Sequence, residues 1–527
     1  MLGKLLRSAF AGVTRRISGD SKPGVSQDAQ SISQLMRDGA QQAKQGSWDA
    51  AEQTYRQVLQ LAPDNADALY SLGVVYGRKR EYAAATHCLE QVVADQPHHI
   101  EAINALGNIA RFQHRWEEAG RHYTRALDLQ PSFVSALSNL GLCLKNEGKP
   151  QAGIVYLERA FELQPDAAAI VLNYALGLLD LGRQTEGEAH LLRALRLDPN
   201  LAEAHAGLAM LHLAKGRFAE GWREYEWRMY ADEWEPQLQV DSPVWTGSPL
   251  AGRVVLVRAE QGLGDQLMFA SCLSEIVAQS RSCVVECDVK LKKLFGRSFP
   301  SARIYAYRQK GVPGWVADEV KLDLQVQLGS LPQRLQRDWG NFPQHRGYLR
   351  ADPERVSAWR ARLDGLGTGL KVGISWRGGT KKTRQAARSV PLSEWIPVLK
   401  RQAHWISLQY GECEGEIGAL ARAQGVTVHH WREAIDDYDE TAALVSALDL
   451  VVSVQTAIVH LAGALGQRVW VLVPANPEWR YLDRGETMPW YPAVRLFRQA
   501  QPGDWRPLIE RVADEVRDLS DASYDAV

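Results

Sequence analysis

The sequence predicts an α + α/β fold, in which a helical solenoid is followed by two doubly wound lobes. Prolines recur at a constant interval in the first half, and short apolar strands alternate with helical segments in the second half. A chain of 527 residues exceeds what one hydrophobic core organises, so several domains are expected. We predict a tail at 1–30, repeats at 31–232, a linker at 233–250, lobes at 251–365 and 366–515, and a tail at 516–527.

The first half carries an internal repeat of 34 residues. Its prolines stand at Pro63, Pro97, Pro131, Pro165 and Pro199, and small residues keep the same interval at Gly39, Gly73, Gly107, Gly141, Ala175 and Ala209. Small residues let two helices approach closely, and each proline ends the second helix of its unit. The pattern resembles the tetratricopeptide repeat. Five complete repeats and a sixth that lacks its proline cover about residues 32–230.

Stacked repeats of this kind offer a concave surface to extended or helical peptides. We expect the inward positions at Asn104, Asn108, Arg111, Ser138 and Lys145 in the earlier repeats, and at Leu172, Leu176, Leu179, Met210 and Leu213 in the last two. The apolar end of this groove suits an amphipathic helix of a protein acceptor. Alternatively, these leucines belong to the core between repeats or to the contact with the next domain.

Composition excludes several classes of function. The 61 basic and 62 acidic residues nearly cancel, which argues against a nucleic-acid partner bound through bulk positive charge. The six cysteines are scattered without a Cys-x-x-Cys pair, which indicates a reducing compartment and gives no support for a metal site. No apolar stretch reaches the roughly 18 residues of a membrane span. We therefore predict a cytoplasmic protein.

The first 18 residues form a basic amphipathic segment. Leu2, Leu6 and Phe10 share one helical face, and Arg7 interrupts the apolar run, so a secretory signal is not expected. The segment suits peripheral contact with an anionic membrane surface or with a partner. The alternative is a frayed terminal helix followed by a linker.

Beyond Pro236 the helical repeat stops and the period changes. "RVVLVRA" (253–259) and "LKVGISW" (370–376) each open a set of apolar strands separated by helical segments. Alternating strands and helices predict parallel sheets, and two such sets predict two lobes with a cleft between them. Ligands of these sheets bind at the carboxyl ends of the strands.

One such end carries three polar residues inside an apolar run. The strand "LVVSV" is followed by Gln455 and Thr456, and His460 lies one turn into the next helix. Free backbone N–H groups and the helix dipole favour a phosphate here, and the Thr456 hydroxyl can donate to it. For His460 the alternative is a satisfied core histidine, but its pairing with Thr456 favours a ligand site.

"EQGLGDQ" forms the corresponding strand end of the first lobe. Gly262 and Gly264 permit a tight backbone, and Asp265 lies at the start of a helix. Alone, Asp265 is compatible with an ordinary helix cap. Opposite a phosphate-binding loop, a carboxylate can instead act as the base for an acceptor hydroxyl.

The second half resembles bacterial two-lobed (GT-B) glycosyltransferases related to ADP-heptose:lipopolysaccharide heptosyltransferases, and above all their tetratricopeptide-bearing branch. The matching segments are "GWREYEWR", "GLGDQLMFA", "KVGISWRGG", "RSVPLSEW", "SLQYGE", "VVSVQTAIVHLAGALG" and "PEWRYLDRGETMPWYPAVRLFRQAQPGDW". They span most of residues 221–510, and several are long enough to be specific.

The resemblance implies roles for individual residues. It implies that Asp265 is the general base, that the first lobe binds the acceptor and that the second binds the nucleotide sugar. The implied donor-binding residues are Trp376, Arg377, Gly378, Lys382, Arg388, Gln409, Gln455, Thr456, His460 and Gly463. Heptosyltransferases have Asp at the position of Gln455, so either the sugar differs or the activity is reduced. No cofactor and no metal are expected, in agreement with the lack of a DxD-type cluster in the cleft loops.

The function implied by the resemblance is a glycosyltransferase that moves a sugar from a nucleotide sugar to Ser/Thr hydroxyls of a protein held by the repeats. Flagellin is the specific acceptor expected, because related repeat-bearing enzymes glycosylate proteins. One alternative is a lipopolysaccharide or exopolysaccharide transferase whose repeats recruit pathway partners. The other is a non-catalytic scaffold with a degenerate transferase half, for which Gln455 is the best support.

Overall fold

The computed structural model describes residues 27–231, 240–307, 311–318, 320–379 and 385–524. The basic segment 1–18 and the predicted donor-binding residue Lys382 lie outside the described residues. The chain divides into two compact units. The first comprises Met1–Gly207 with Trp227–Trp234, and the second comprises Leu208–Glu226 with Glu235–Val527.

The first unit is helical, as the repeat predicts. Five pairs of helices follow one another: Gln27–Lys44 with Trp48–Leu61, Ala66–Arg78 with Tyr82–Asp95, Ile100–Phe112 with Trp116–Leu129, Val134–Asn146 with Pro150–Leu163, and Ala168–Asp180 with Gln184–Leu197. Two further helices, Ala202–Ala214 and Phe218–Tyr225, continue the pattern. The boundary between the two units falls inside the first of them, after Gly207.

Close helix contacts explain why small residues keep the repeat interval. A Cβ atom on Gly107 would lie 2.6 Å from Cε1 of Tyr123, and one on Gly141 would lie 2.6 Å from Cγ of Leu157. Both partner side chains are fully buried. The glycines therefore let a large side chain of the second helix pack directly on the backbone of the first.

The prediction of an open groove is wrong for most of its residues. Leu172 and Leu213 are buried. Leu176 and Leu179 are half-buried, and Leu179 packs over Gly187 of the following helix. Met210 alone among these leucine and methionine positions is largely exposed, at 51%. The leucines lie in the packing between helices rather than on an open surface.

The asparagines assigned to the groove are also held within the stack. Asn108 accepts a hydrogen bond from the Tyr123 hydroxyl at 2.9 Å, and Asn104 accepts one from the Asn139 amide at 3.1 Å. Both side chains are buried. Burial obliges polar groups to find partners inside the protein, so these amides stabilise contacts between helices.

The second unit contains two parallel sheets. The first lobe holds β1 (Val254–Arg258), β2 (Ser282–Cys287), β3 (Ala302–Ala306) and β4 (Leu324–Gln327) in the order β3-β2-β1-β4. The second lobe holds β5 (Lys371–Ser375), β6 (His404–Ser407), β7 (Val428–His429), β8 (Leu450–Val454), β9 (Val469–Val473) and β10 (Val494–Arg498) in the order β10-β9-β8-β5-β6-β7. This α/β fold confirms the prediction from alternating strands and helices.

Helices connect and cover these strands. They are Leu263–Phe269, Leu273–Gln279, Lys292–Ser298, Gly314–Ala317, Leu331–Arg334, Pro353–Asp364, Ile396–Leu399, Glu414–Gln424, Arg432–Asp436, Tyr438–Ala447, Ala457–Ala464 and Arg506–Tyr524. The strands β1, β5, β8 and β9 are buried along their whole length, because helices on both faces exclude water. Their continuous Val- and Ile-rich runs follow from that burial.

Strand order locates the ligand-binding edge of each lobe. The order reverses between β1 and β4 in the first sheet, and between β5 and β8 in the second. Loops leaving the carboxyl ends of such neighbouring strands depart to opposite faces and open a crevice. The segments after β1, β5 and β8 therefore frame the candidate site.

Residues of the last predicted repeat belong to the core of the second unit. Trp222 is buried and packs edge-to-face against Phe269, Trp479 and Trp490, with ring centroids 5.7–6.3 Å apart. Its indole N–H donates to the backbone oxygen of Arg337 at 3.0 Å. Packing within the second unit thus explains Trp222 of the "GWREYEWR" segment, whereas Trp227 of the same segment belongs to the first unit and stacks on His205.

Candidate functional site

A cavity of about 680 Å³ opens at the carboxyl ends of the strands in the second unit. Its walls come from both lobes: Gly262, Leu263, Gly264, Asp265, Ser375, Arg377, Gly379, Gln385, Arg388, Gln409, Tyr410, Gly411, Glu412, Thr456, Ala457, His460, Glu478, Arg480 and Tyr481. This volume and this position at strand ends are typical of small-molecule sites in doubly wound folds.

The first-lobe wall is the turn from β1 into the helix Leu263–Phe269. A Cβ atom on Gly264 would lie 3.1 Å from Cδ2 of His460, and one on Gly262 would lie 2.8 Å from Oδ2 of Asp265. Both glycines therefore serve close approach: Gly264 brings the first lobe against the second, and Gly262 makes room for the carboxylate.

Asp265 faces the second lobe and does not cap its own helix. Gly262 is the N-cap residue, and no side chain caps that helix end. Instead, Oδ1 of Asp265 accepts a hydrogen bond from Nε of Arg480 at 2.7 Å and a second from Nη2 of the same side chain. This charge-assisted pair spans the two lobes and holds the carboxylate at the cavity. The alternative that Asp265 is merely a helix cap is therefore excluded.

A second arginine continues this network. Nη1 of Arg480 donates to Oε2 of Glu478 at 3.2 Å, and the guanidinium lies 4.7 Å from the ring centre of Trp479. Nη1 of Arg388 donates to the other Glu478 oxygen at 3.3 Å, while Nη2 donates to the backbone oxygen of Gln455 at 2.7 Å. Two guanidiniums thus face one cavity around a shared carboxylate. An anionic ligand could replace that carboxylate as their partner.

Thr456 and His460 line the cavity from the helix Ala457–Ala464. The Thr456 hydroxyl caps this helix by accepting from the backbone N–H of Ile458 at 3.2 Å. His460 is 5% exposed, and its Nδ1 lies 3.2 Å from the hydroxyl of Tyr491. Burial, together with the smaller effect of the nearby Arg480 and Arg388 charges, lowers the pKa of His460 to about 3. The imidazole is therefore neutral at physiological pH and can offer a hydrogen bond but no charge.

Several predicted donor-binding residues serve the scaffold instead. Trp376 is fully buried in the second-lobe core and donates its indole N–H to Glu416 at 2.8 Å. Gly463 backs onto Tyr491, since a Cβ atom there would lie 2.5 Å from the ring. Gly378 is packed against the backbone oxygen of Gln455, 2.7 Å from where its Cβ would be. None of the three is among the residues that line the cavity, so the structure does not bring them to the candidate site.

Gln409 lines the cavity, but its amide is already engaged. Its Oε1 accepts from the backbone N–H of Arg377 at 2.8 Å and of Trp376 at 3.1 Å. Its Nε2 donates to the backbone oxygen of Tyr410 at 3.1 Å. Gln409 therefore shapes the loop after β5, and the two backbone N–H groups that it binds are not free for a phosphate.

Gln455 is buried beneath the cavity rather than exposed in it. Its side chain is 0% exposed, and neither amide atom has a hydrogen-bond partner among the described residues. A buried unpartnered amide costs roughly 1–3 kcal/mol per polar group. The interpretation of residues 455, 456 and 460 as one ligand-facing trio is therefore wrong for Gln455.

Sequence reasoning missed the residues after β9. Glu478, Arg480 and Tyr481 line the cavity, and Arg480 provides the partner of Asp265. The rule that identified Thr456, a polar residue just beyond the carboxyl end of a parallel strand, applies equally to "PEWRY". Tyr410 and Glu412, beyond β6, satisfy the same rule.

Comparison with known proteins identifies the helical half. A tetratricopeptide family model described as "TPR repeat" matches residues 39–79, and a second one, "Tetratricopeptide repeat", matches 104–168 and 144–202. The helices of the first unit are tetratricopeptide repeats. Repeats of this kind generally mediate contacts between proteins.

One curated relative is Protein FlbA of Caulobacter vibrioides, which is 35% identical over 328 residues. The alignment covers 59% of this chain and 54% of FlbA, so the chain spans about half the length of that relative. Among solved structures, TTC0263, a thermophilic tetratricopeptide protein of Thermus thermophilus, matches 34% of this chain and 99% of its own at 22% identity and a TM-score of 0.33. Pseudomonas aeruginosa pilF matches 39% and 90% at 20% identity and a TM-score of 0.32.

No helix among the described residues has both the length and the apolar character needed to cross a bilayer.

Proposed function

We propose that this protein is a glycosyltransferase that moves a sugar from a nucleotide sugar to a Ser or Thr hydroxyl of a protein. The observation that carries the proposal is the cavity itself, which places a carboxylate of one lobe opposite two guanidiniums of the other. The resemblance of the second half to two-lobed glycosyltransferases supports the same assignment.

In this proposal the phosphates of the donor are bound by Arg388 and Arg480. Both side chains face the cavity, and each is held by Glu478. The helix that begins at Ala457, capped by Thr456, presents its positive end to the same space. These groups also stabilise the negative charge that grows on the nucleotide as it leaves. We therefore expect transfer to need no metal ion.

Asp265 acts on the acceptor. When the donor phosphate binds Arg480 in place of Asp265, the Asp265 carboxylate becomes available to accept the proton of the Ser or Thr hydroxyl. The hydroxyl oxygen then forms a bond to the anomeric carbon, while the bond from that carbon to the nucleotide phosphate breaks. The nucleotide leaves with the bonding electron pair, and the proton remains on Asp265.

The acceptor is proposed to be a protein held by the tetratricopeptide repeats, with flagellin as the specific substrate. The repeats support a protein rather than a lipid acceptor, since such stacks bind polypeptides. The resemblance to repeat-bearing transferases supports flagellin. A cytoplasmic location follows for an enzyme that acts on an acceptor before export.

A non-catalytic scaffold is the second candidate, and Gln455 favours it. Heptosyltransferases carry an acid where this chain has an amide without a partner among the described residues. Paired charges in the cavity would also require a donor to compete for each arginine. In this alternative the α/β half keeps the fold without turnover.

Calorimetry distinguishes the glycosyltransferase from the non-catalytic scaffold. The purified chain is titrated with a panel of nucleotide sugars, some carrying neutral and some carrying acidic sugars. A transferase should bind at least one donor, and Arg388→Gln should weaken that binding by about 10-fold or more, because a hydrogen bond to a charged group contributes roughly 1.5–3 kcal/mol. Arg506→Gln, which alters an exposed pair with Glu510, is the control. Absence of binding across the panel would favour the scaffold.

A further inference from the structure

Three side chains with metal-ligating atoms meet beside β6 and β7. Cys413 and Glu414 lie in the segment that leads from β6 into the helix Glu414–Gln424, and His430 directly follows β7. Because β6 and β7 are parallel neighbours, their carboxyl ends lie at the same edge of the sheet. None of the three lines the cavity described above.

The spacing of their atoms is close to that of a tetrahedral site. Sγ of Cys413 lies 3.7 Å from Nδ1 and 3.8 Å from Nε2 of His430, and Nε2 lies 3.7 Å from Oε1 of Glu414. One ligand atom from each residue falls within 4.8 Å of the others. With Zn–S near 2.3 Å and Zn–N near 2.0 Å, tetrahedral geometry sets sulfur and nitrogen about 3.5 Å apart. Small side-chain rotations would bring the sulfur and the nitrogen to the distance expected around a zinc ion.

A further residue orients the imidazole. Nδ1 of His430 lies 3.1 Å from the hydroxyl of Ser407, the last residue of β6. Metal-ligating histidines commonly use their second ring nitrogen in this way, which fixes the ring and leaves the other nitrogen for the metal. The Ser407 contact therefore favours Nε2 as the ligand atom.

The cluster is open on one side. The Cys413 side chain is 2% exposed, whereas the Glu414 side chain is 47% exposed. Arg432 is the competing cation, with Nη1 at 3.7 Å from Oε1 of Glu414 and a side chain 65% exposed. Such exposed pairs contribute little, so a divalent ion can displace Arg432 from the carboxylate.

We propose that Cys413, Glu414 and His430 bind a zinc-type divalent ion, with water at the fourth position. A thiolate, an imidazole and a carboxylate together select zinc over magnesium or calcium, which prefer oxygen ligands alone. The ion would tie the ends of β6 and β7 together and fix the loop 408–413, part of which lines the cavity. This structural role is independent of the proposed transfer, which uses other residues.

The test measures zinc bound by the full chain. The protein is stripped with a chelator, incubated with zinc, desalted and measured by elemental mass spectrometry. About one zinc per chain is expected, as for a single site with three protein ligands, and Cys413→Ser and His430→Gln should each lose it. His429→Gln, which alters the neighbouring half-buried imidazole, and Cys283→Ser, which alters a buried thiol of β2, should keep it.

Two results would overturn the proposal: no zinc retained by the unaltered chain, or equal retention by the Cys413 and His430 variants. Should a variant fail to fold, cobalt added to the unaltered chain decides. A thiolate-to-cobalt charge-transfer band supports the site, because among the described residues no other group of three His, Cys, Asp or Glu side chains is arranged to hold an ion. A cobalt spectrum without that band contradicts it.

Discussion

At the scale of single residues, the proposed transfer depends on the pair between Asp265 and Arg480. Its two members lie 215 positions apart in the sequence and in different lobes. Neither helix periodicity nor strand pattern reports such a pairing, so the sequence indicates Asp265 as a site residue without indicating its partner. The contact nevertheless gives the carboxylate a fixed position and a partner that a phosphate can take.

Asp265→Asn should lower transfer by about 10²–10⁴-fold, the usual effect of removing a general base. Donor affinity should stay constant or rise, because the asparagine releases Arg480 for the phosphate. Arg480→Gln should instead weaken donor binding. Initial rates and calorimetric affinities of the two variants, measured side by side, give the comparison. Near-normal transfer by Asp265→Asn would show that this carboxylate only holds Arg480.

The neutral state of His460 makes stability depend on pH. The unfolded imidazole, with its ordinary pKa of 6.5, takes up a proton that the folded one, with a pKa of about 3, does not. The free energy of unfolding should therefore fall as pH decreases below 6.5, by up to about 1.4 kcal/mol per pH unit from this residue. Replacement by Gln should make that slope shallower between pH 6 and 5.

Denaturant unfolding followed by tryptophan fluorescence measures this slope. His98→Gln, which alters an exposed histidine of the repeats, is the control and should leave the slope unchanged. An identical pH dependence for His460→Gln and the unaltered chain would contradict the buried neutral imidazole.

At the scale of elements, the repeat was predictable because its contacts are local. Gly107 and Tyr123 lie within one helix pair, so the spacing of a small and a large residue in the sequence directly records their contact. The inward face was not predictable in the same way. Leu172 and Leu213 are buried where helices pack against each other. A shift of one residue in the assumed register of a helix turns a position in the groove into a position in the core.

Two glycines of one helix pair offer a matched test of this packing. In Gly107→Ala the new methyl would lie 2.6 Å from the buried Tyr123 ring, which should destabilise the repeats by about 1–3 kcal/mol. In Gly120→Ala the nearest atom lies 4.0 Å away, so the loss of backbone freedom in the unfolded chain should stabilise by about 0.4–1 kcal/mol. Thermal unfolding followed by circular dichroism compares them, and equal melting temperatures would contradict the close contact.

At the scale of the whole molecule, the order of strands explains which residues of the site could be predicted from the sequence. Strand and helix alternation predicted two parallel sheets, and the rule for strand ends placed Thr456 and Asp265 at the cavity. The resemblance to two-lobed glycosyltransferases implied in addition a donor contact for Trp376, which directly follows β5. Its indole turns into the second-lobe core instead, which no one-dimensional pattern could indicate.

The central claim is that the α/β half transfers a sugar to a protein hydroxyl. Intact-mass measurement of flagellin from cells that lack this gene, complemented with either the natural gene or Asp265→Asn, tests it most directly. The natural gene should restore a mass increase equal to whole sugar units, and Asp265→Asn should not, at equal levels of both proteins. An unchanged flagellin mass with and without the gene would contradict the assignment of flagellin as the acceptor, and the same mass restored by Asp265→Asn would contradict the role of the carboxylate.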